Sequence, residues 1–290
     1  MNLGKFHDKH YKKLLLIPAI LIVLSLIYLG IFYSNHQDII YKDITLTGGT
    51  SITVYGQIDI ASLEGPLSLE LNELNIREVY DLTSREQKAV IFETITDGDE
   101  AKLILEDHLG YELIIGENSD LEFTGSILSS SFYKQLIIAI LIAFLFMAIV
   151  VFILFRTPTP SIAVIISAFA DIVLTLVFVD LIGMKMSTAG IVAFLMLIGY
   201  SVDTDILLTT RMIKRKEGTL NNRIFGAFKT GTTMTLTSLF AFLAALLVVR
   251  SFSNVLTQIF TILVAGLMFD LLNTWITNVS ILKWHVERRK

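Results

Sequence analysis

The sequence predicts an α-helical membrane protein with six transmembrane helices, one plus five, and an α+β ferredoxin-like outer domain between the first and second. Three observations predict it. Blocks of about 20 residues nearly free of Lys, Arg, Asp and Glu recur along the chain, the length that crosses roughly 30 Å of hydrocarbon. Only 17% of the 290 residues are charged and 53% are hydrophobic, with a mean hydropathy of +0.67, whereas a soluble domain has about 25% charged residues. One stretch of about 100 mostly polar residues separates the first apolar block from the other five. These features exclude a cytosolic enzyme, a disordered chain and a coiled coil. With no cysteine, disulfides, thiolate metal sites and cysteine nucleophiles are excluded as well.

The first block, Leu14–Tyr33, follows Lys5, Lys9, Lys12 and Lys13. It is too long for the apolar part of a signal peptide and no small-x-small cleavage site follows, so it reads as an uncleaved anchor. The later blocks are Leu136–Phe155, Ser161–Ile182, Ser187–Thr210, Thr230–Val249 and Val255–Asn278. The chain therefore divides into a basic N-terminus (1–13), a first helix (14–33), an outer domain (34–135), a five-helix bundle (136–282) and a basic tail (283–290). Within the bundle, Leu220, Ile224 and Phe228 recur at i, i+4 and i+8 behind Thr219 as N-cap. That pattern predicts a short helix over 219–228 lying in the membrane interface. Basic residues set the orientation. With the N-terminus inside, 15 Lys and Arg fall on the cytoplasmic side, including Arg156 and the cluster Arg211, Lys214, Arg215, Lys216, Arg223 and Lys229. The short outer loops then hold only Lys185 and Arg250. Both termini are expected in the cytoplasm and residues 34–135 outside.

Ser34–Gln135 carries 19 acidic and six basic residues. A solvated surface repelled by an anionic membrane explains this charge; electrostatic contact with a passing chain is the other reading. Ile44–Tyr55 alternates around Gly48-Gly49 and predicts a strand with a bulge or a close backbone approach. Asp59 can cap a helix through about Asn75, interrupted near its start by Gly65-Pro66. Glu78–Thr83 and Lys88–Ile95 read as strands, Glu100–Leu109 as a helix ended by Gly110, and Leu121–Phe123 as a last strand. The order β-α-β-β-α-β is that of a split βαβ domain.

Five aspartates fall within the spans: Asp171, Asp180, Asp203, Asp205 and Asp270. An ionised Asp near a helix centre costs about 2.5–3.5 kcal/mol on insertion scales, so such residues are functional candidates. Asp180 is placed at the outer rim, in reach of water. The spans contain no His, so any titration inside the membrane must use carboxylates. In Gly199-Tyr200-Ser201-Val202-Asp203-Thr204-Asp205 the two acids point about 200° apart at 100° per residue. Polar groups on opposite sides of one helix predict a central position, with Gly199 admitting a close neighbour beside Asp203. Thr232, Thr233, Thr235, Thr237 and Ser238 offer hydroxyls from the fifth helix, and Asn273, Thr274, Thr277 and Asn278 accompany Asp270 on the sixth. Hydrogen bonding between helices is the simplest role for these hydroxyls, and structural glue is the competing role for the acids.

Four motifs resemble the SecF family of protein-export membrane proteins, partners of SecD within the resistance-nodulation-division superfamily. Asp43-Ile44-Thr45-Leu46-Thr47-Gly48-Gly49-Thr50 is similar to the family's Asp-Phe-x-Gly-Gly-Thr box. Ala170-Asp171-Ile172-Val173-Leu174-Thr175 is similar to its His-Asp-Val-x-x-Thr stretch. Gly199-Tyr200-Ser201-Val202-Asp203 resembles its Gly-Tyr-Ser-Ile signature, and Thr230-Gly231-Thr232-Thr233 its Ser-Gly-Thr-Thr stretch. The resemblance is to an archaeal-type variant. It implies an auxiliary translocase subunit that works with SecD and a SecY-type translocon to move unfolded polypeptides across the membrane. It implies no catalytic residue, metal, cofactor or nucleic acid. It also implies a proton-linked carboxylate, at Asp203 or at Asp205. Asp203 is favoured for its face shared with Gly199, followed by Asp205, by Asp171, and by Asp270, for which glue is the preferred role. A subunit that only stabilises the SecD–SecF assembly and a small-molecule exporter remain alternatives. An intramembrane aspartyl protease needs Tyr-Asp and Gly-x-Gly-Asp contexts, and neither occurs.

Overall fold

A computed structural model describes residues 11, 13–81, 84, 86–215, 217–250 and 253–288. The basic residues Lys5, Lys9, Lys12, Lys216, Arg289 and Lys290 lie outside them. The first membrane helix, α1 (Leu16–His36), ends where Gln37 adopts a left-handed backbone and its N–H bonds the Tyr33 carbonyl. A stalk then leads to a four-stranded sheet.

The start of the expected strand Ile44–Tyr55 is helical instead. Asp43 accepts from the Thr45 N–H and caps one turn, α2 (Ile44–Thr47), before β1 (Gly49–Tyr55) begins. Here capping chemistry outweighs alternation, because a capped turn satisfies its own backbone donors. The chain continues through α3 (Ile60–Glu70), β2 (Asn75–Tyr80), β3 (Gln87–Thr94), α4 (Gly98–Leu109) and β4 (Ser119–Thr124). Asp59 caps α3, which runs through Pro66 and stops at Glu70. It is shorter than expected because Leu71 turns extended and buries its side chain in the domain core.

The sheet order is β2-β3-β1-β4, all neighbours antiparallel, the split βαβ arrangement read from the sequence. Register follows the buried alternation: Ile52 of β1 lies between Phe92 and Leu121, and Val54 opposite Val90. These residues close a core with Leu67, Leu71, Ala101, Leu105 and Leu113.

The remaining membrane helices are α5 (Ser126–Phe155), α6 (Pro158–Leu181), α7 (Thr188–Ile213), α8 (Leu220–Val249) and α9 (Asn254–Leu272). α9 passes through a π-helical segment, Asn273–Asn278, into α10 (Val279–Arg288), so that α9 to α10 forms one span. The protein is a multi-pass membrane protein with six helices long and apolar enough to span. More than half of the apolar stretch of α6 and of α7 is buried, against 6% for α5 and 11% for α8. α6 and α7 are therefore central, and α5 and α8 peripheral with large apolar side chains turned outward.

The separate interfacial helix expected over 219–228 is not a separate element. Thr219 caps α8 itself, which continues unbroken to Val249. Leu220 and Ile224 pack on buried Leu208, Met212, Val279 and Leu282. Gly231 keeps the helix close to its neighbours, since a Cβ there would lie 2.7 Å from the Trp275 ring. Packing on both sides of Lys229 leaves no reason for a break.

Candidate functional site

Each of three helices carries a polar pair at i and i+4, and so on one face: Ser167 and Asp171 on α6, Ser201 and Asp205 on α7, and Asp270 and Thr274 on α9 and its π-helical extension. The packing turns these faces toward one another. Asp171, Asp205 and Asp270 are all 0% exposed, and a network of hydroxyl and amide hydrogen bonds surrounds them, with Thr274 shared between Asp205 and Asp270.

The Ser201 hydroxyl donates to Asp171 Oδ2 (2.5 Å) and the Asn273 amide to Asp171 Oδ1 (2.6 Å). Asp205 Oδ1 accepts from Asn278 Nδ2 (2.7 Å), the Thr274 hydroxyl (2.9 Å) and the Ser167 hydroxyl (3.3 Å). Thr274 Oγ1 also lies 3.0 Å from Asp270 Oδ1. Two acceptors, Asp205 Oδ2 and Asp270 Oδ2, are buried without a hydrogen-bond partner. Among the described residues no Lys, Arg or His forms an ion pair with these acids. The π-helical segment contributes Asn273, Thr274, Thr277 and Asn278, all buried. π-segments inside α-helices recur at functional sites.

Thr274 has a single hydroxyl proton, so it can donate to Asp205 or to Asp270 but not to both. If both short contacts are hydrogen bonds, the second proton belongs to a carboxyl. Among the described residues the three acids therefore sit without a cationic partner, surrounded by hydroxyl and amide groups. Among the described residues no group of three His, Cys, Asp or Glu is placed to hold a metal ion.

Asp203 does not join this network. It is exposed on the opposite side of α7, and a Cβ at Gly199 would meet nothing within 4 Å. Among the described residues the close neighbour expected beside Gly199 is absent, because α6 and α9 both pack on the Asp205 side. Asp171 correspondingly meets Ser201 of α7, not Asp203. Asp180, expected at the rim, is buried.

The other motif residues take packing positions. Tyr200 turns edge-on to Phe242 of α8, ring centroids 5.4 Å apart. Thr233 lies exposed and bonds the Lys229 carbonyl, and the Thr232 hydroxyl has no hydrogen-bond partner. Gly48 and Gly49 have positive φ, and a Cβ at Gly49 would lie 2.5 Å from the Thr94 carbonyl oxygen. This is the close backbone approach expected there. Thr50, fully buried, donates to the Thr96 carbonyl (2.8 Å). Ser167 was not singled out from the sequence, although its i, i+4 spacing to Asp171 is a readable signal.

The family model for the C-terminal part of the protein-export membrane proteins SecD and SecF matches residues 114–288. The chain is 39% identical over 284 residues to the protein-export membrane protein SecF of Methanocaldococcus jannaschii, covering 96% of both chains. It is likewise 39% identical to SecF of Methanothermobacter thermautotrophicus, over 97% of this chain and 94% of that one. For SecF of Pyrococcus furiosus the identity is 33%, over 96% and 92%. The crystal structure of SecDF, a translocon-associated membrane protein from Thermus thermophilus, superposes with a TM-score of 0.73 at 19% identity. That match covers 99% of this chain and 39% of the SecDF chain, and at this identity it speaks to fold alone. The chain belongs to the SecD/SecF family of protein-export membrane proteins, within its SecF group.

Proposed function

We propose that this protein is an auxiliary subunit of the export machinery that pairs with a SecD-type chain beside a SecY-type translocon and promotes the outward passage of unfolded polypeptides. In this reading Asp171, Asp205 and Asp270 couple that passage to the proton gradient, and both termini lie in the cytoplasm. One observation carries the coupling: three fully buried carboxylates on three helices are held by hydroxyl and amide donors, two of them through the same Thr274, and among the described residues no cation pairs with them. A proton leaving such a dry site leaves a charge that costs several kcal/mol unless the groups around it rearrange. The donors Ser167, Ser201, Asn273, Thr274 and Asn278 sit on the same three helices, so re-pairing them moves helix against helix. A proton taken up by one carboxyl and released from another, on opposite sides of the membrane, completes the cycle with no covalent chemistry.

Asp205→Asn and Asp171→Asn test this, since Asn keeps size and hydrogen bonding but cannot titrate. In proteoliposomes containing the full complex, export should lose its dependence on an imposed proton gradient while assembly with the SecD-type chain is unchanged. Gradient-dependent export that survives both substitutions removes the coupling. Loss of assembly instead supports the competing role, in which the acids only hold α6, α7 and α9 together. The sidedness is tested by single cysteines on the cysteine-free chain. Glu117→Cys should react with an impermeant thiol reagent added outside and Glu217→Cys should not; the reverse pattern overturns the orientation.

A further inference from the structure

The three acid-bearing helices meet a second time, at the end of the bundle next to the outer domain. α6 ends at Leu181 and α7 begins at Thr188, so a short loop is all that separates the helix of Asp171 from that of Asp205. This loop is held on both sides by directional bonds.

On one side it grips the stalk. The Met186 N–H donates to the Tyr41 carbonyl (2.6 Å) and the Asp43 N–H to the Met186 carbonyl (3.0 Å), making a parallel β-bridge between Lys42 and Met186. The first residue of α7 adds a third bond, from the Thr188 N–H to Thr45 Oγ1 (3.0 Å). On the other side the loop grips α9. Gln258 Oε1 accepts from the Ser187 N–H (2.9 Å) and from the Ser187 hydroxyl, and Gln258 Nε2 donates to the Lys185 carbonyl (2.6 Å). Met186, Ser187 and Gln258 are all buried. A side chain at Gly190 would have to displace Met186 or Gln258, since a Cβ there would run into Met186 Sδ and Gln258 Oε1.

The stalk passes any displacement onward. Leu46 is buried in the same apolar cluster as Met186, Ile191 and Ile262. Two residues after α2, Gly49 and Thr50 lock β1, a central strand of the sheet, against Thr94 and Thr96. Apolar packing is non-directional and lets helices slide. Bonds between fixed partners in fixed register do not, so a shift of α6, α7 or α9 must either break this clasp or move the stalk.

We propose that Thr45 and Gln258 are positioning residues that carry rearrangements of the acid-bearing helices to the outer domain. The proposal rests on the proton-coupled reading of the acid site. It assigns the transmission to particular bonds, none of which includes an acid of the site itself.

The test uses the full-length chain with its SecD-type partner in proteoliposomes. Spin labels are placed through Leu103→Cys on α4 and Leu247→Cys on α8, both exposed. The interlabel distance distribution is expected to shift when Asp205→Asn is introduced. That shift should be lost with Thr45→Val, which removes the acceptor for the Thr188 N–H, and with Gln258→Met, which removes all three loop hydrogen bonds. Thr45→Ser keeps the hydroxyl and should restore it, a rescue that general destabilisation does not give. A shift that persists in both clasp variants overturns the proposal. So does a distribution that never moves although Asp205→Asn abolishes gradient-dependent export, and in that case the functional reading stands. If Asp205→Asn leaves gradient-dependent export intact, the reading fails and the clasp role falls with it.

Discussion

The two sides of α7 carry the same chemical group in opposite settings. Asp205 is fully buried and accepts three hydrogen bonds from α6 and the π-helical segment. Asp203, two residues earlier, is exposed beside a glycine at which a Cβ would meet none of the described residues within 4 Å. An acid facing hydrocarbon carries an insertion cost of about 2.5–3.5 kcal/mol, while a buried one is tolerated where donors surround it. The difference teaches that an intramembrane carboxylate is defined by what packs on its helix face. Asp205 belongs to a site completed within this chain. Among the described residues no helix covers the Asp203 face, and under the proposed function a second subunit is the natural cover for it.

A graded series of substitutions in the isolated chain sharpens this contrast. Asp205→Ala removes three accepted bonds and leaves the Asn278 amide and the Ser167 hydroxyl without this acceptor, while Thr274 keeps Asp270. At roughly 0.6–1.7 kcal/mol per intramembrane bond it should cost about 2–4 kcal/mol in reversible unfolding. Asn273→Leu removes one bond to Asp171 and a longer one from Thr277 and should cost about 1–2 kcal/mol. Asp203→Ala should fall within about 0.5 kcal/mol of wild type, as substitutions away from packed features do. If Asp203→Ala destabilises the chain as much as Asp205→Ala, the two faces do not differ in the way described.

The smallest expected effect concerns a third acid, at the stalk. Burial pushes the Asp43 carboxyl up, against hydrogen bonds from Thr45 and the nearby charges of Arg77 and Lys185. A carboxyl raised on folding adds stability that is fully present below its unfolded pKa, about 3.9. That stability is lost as pH rises through the folded value. Wild type should therefore lose stability relative to Asp43→Asn as pH rises from the ordinary aspartate range. Asn keeps the cap on α2, so the expected readout is a difference between the two melting-temperature profiles against pH. Parallel profiles would mean that Asp43 does not titrate differently on folding.

The sequence by itself determined the six apolar spans, the single large insertion and its β-α-β-β-α-β order. These properties are local. Span length follows from hydrocarbon thickness, strand faces from alternation, and helix ends from residues such as Asp59, Asp97 and Gly110, which cap α3 and α4. It also placed Asp171, Asp205 and Asp270 inside the membrane, because their positions within long apolar blocks are countable. Tertiary structure alone decided which acids meet. Helical periodicity puts Asp203 and Asp205 on opposite faces but does not say which face its neighbours choose, and Gly199 drew the sequence reading to the face on which α6 and α9 do not pack. The π-helical segment that brings Asn273, Thr274 and Asn278 to bear on the acids has no local residue signature. Thr45 and Gln258 carried no signal either, because their partners Thr188 and Ser187 lie 143 and 71 residues away along the chain. A hydrogen bond between distant segments leaves no periodicity in either, so only the folded packing reveals it.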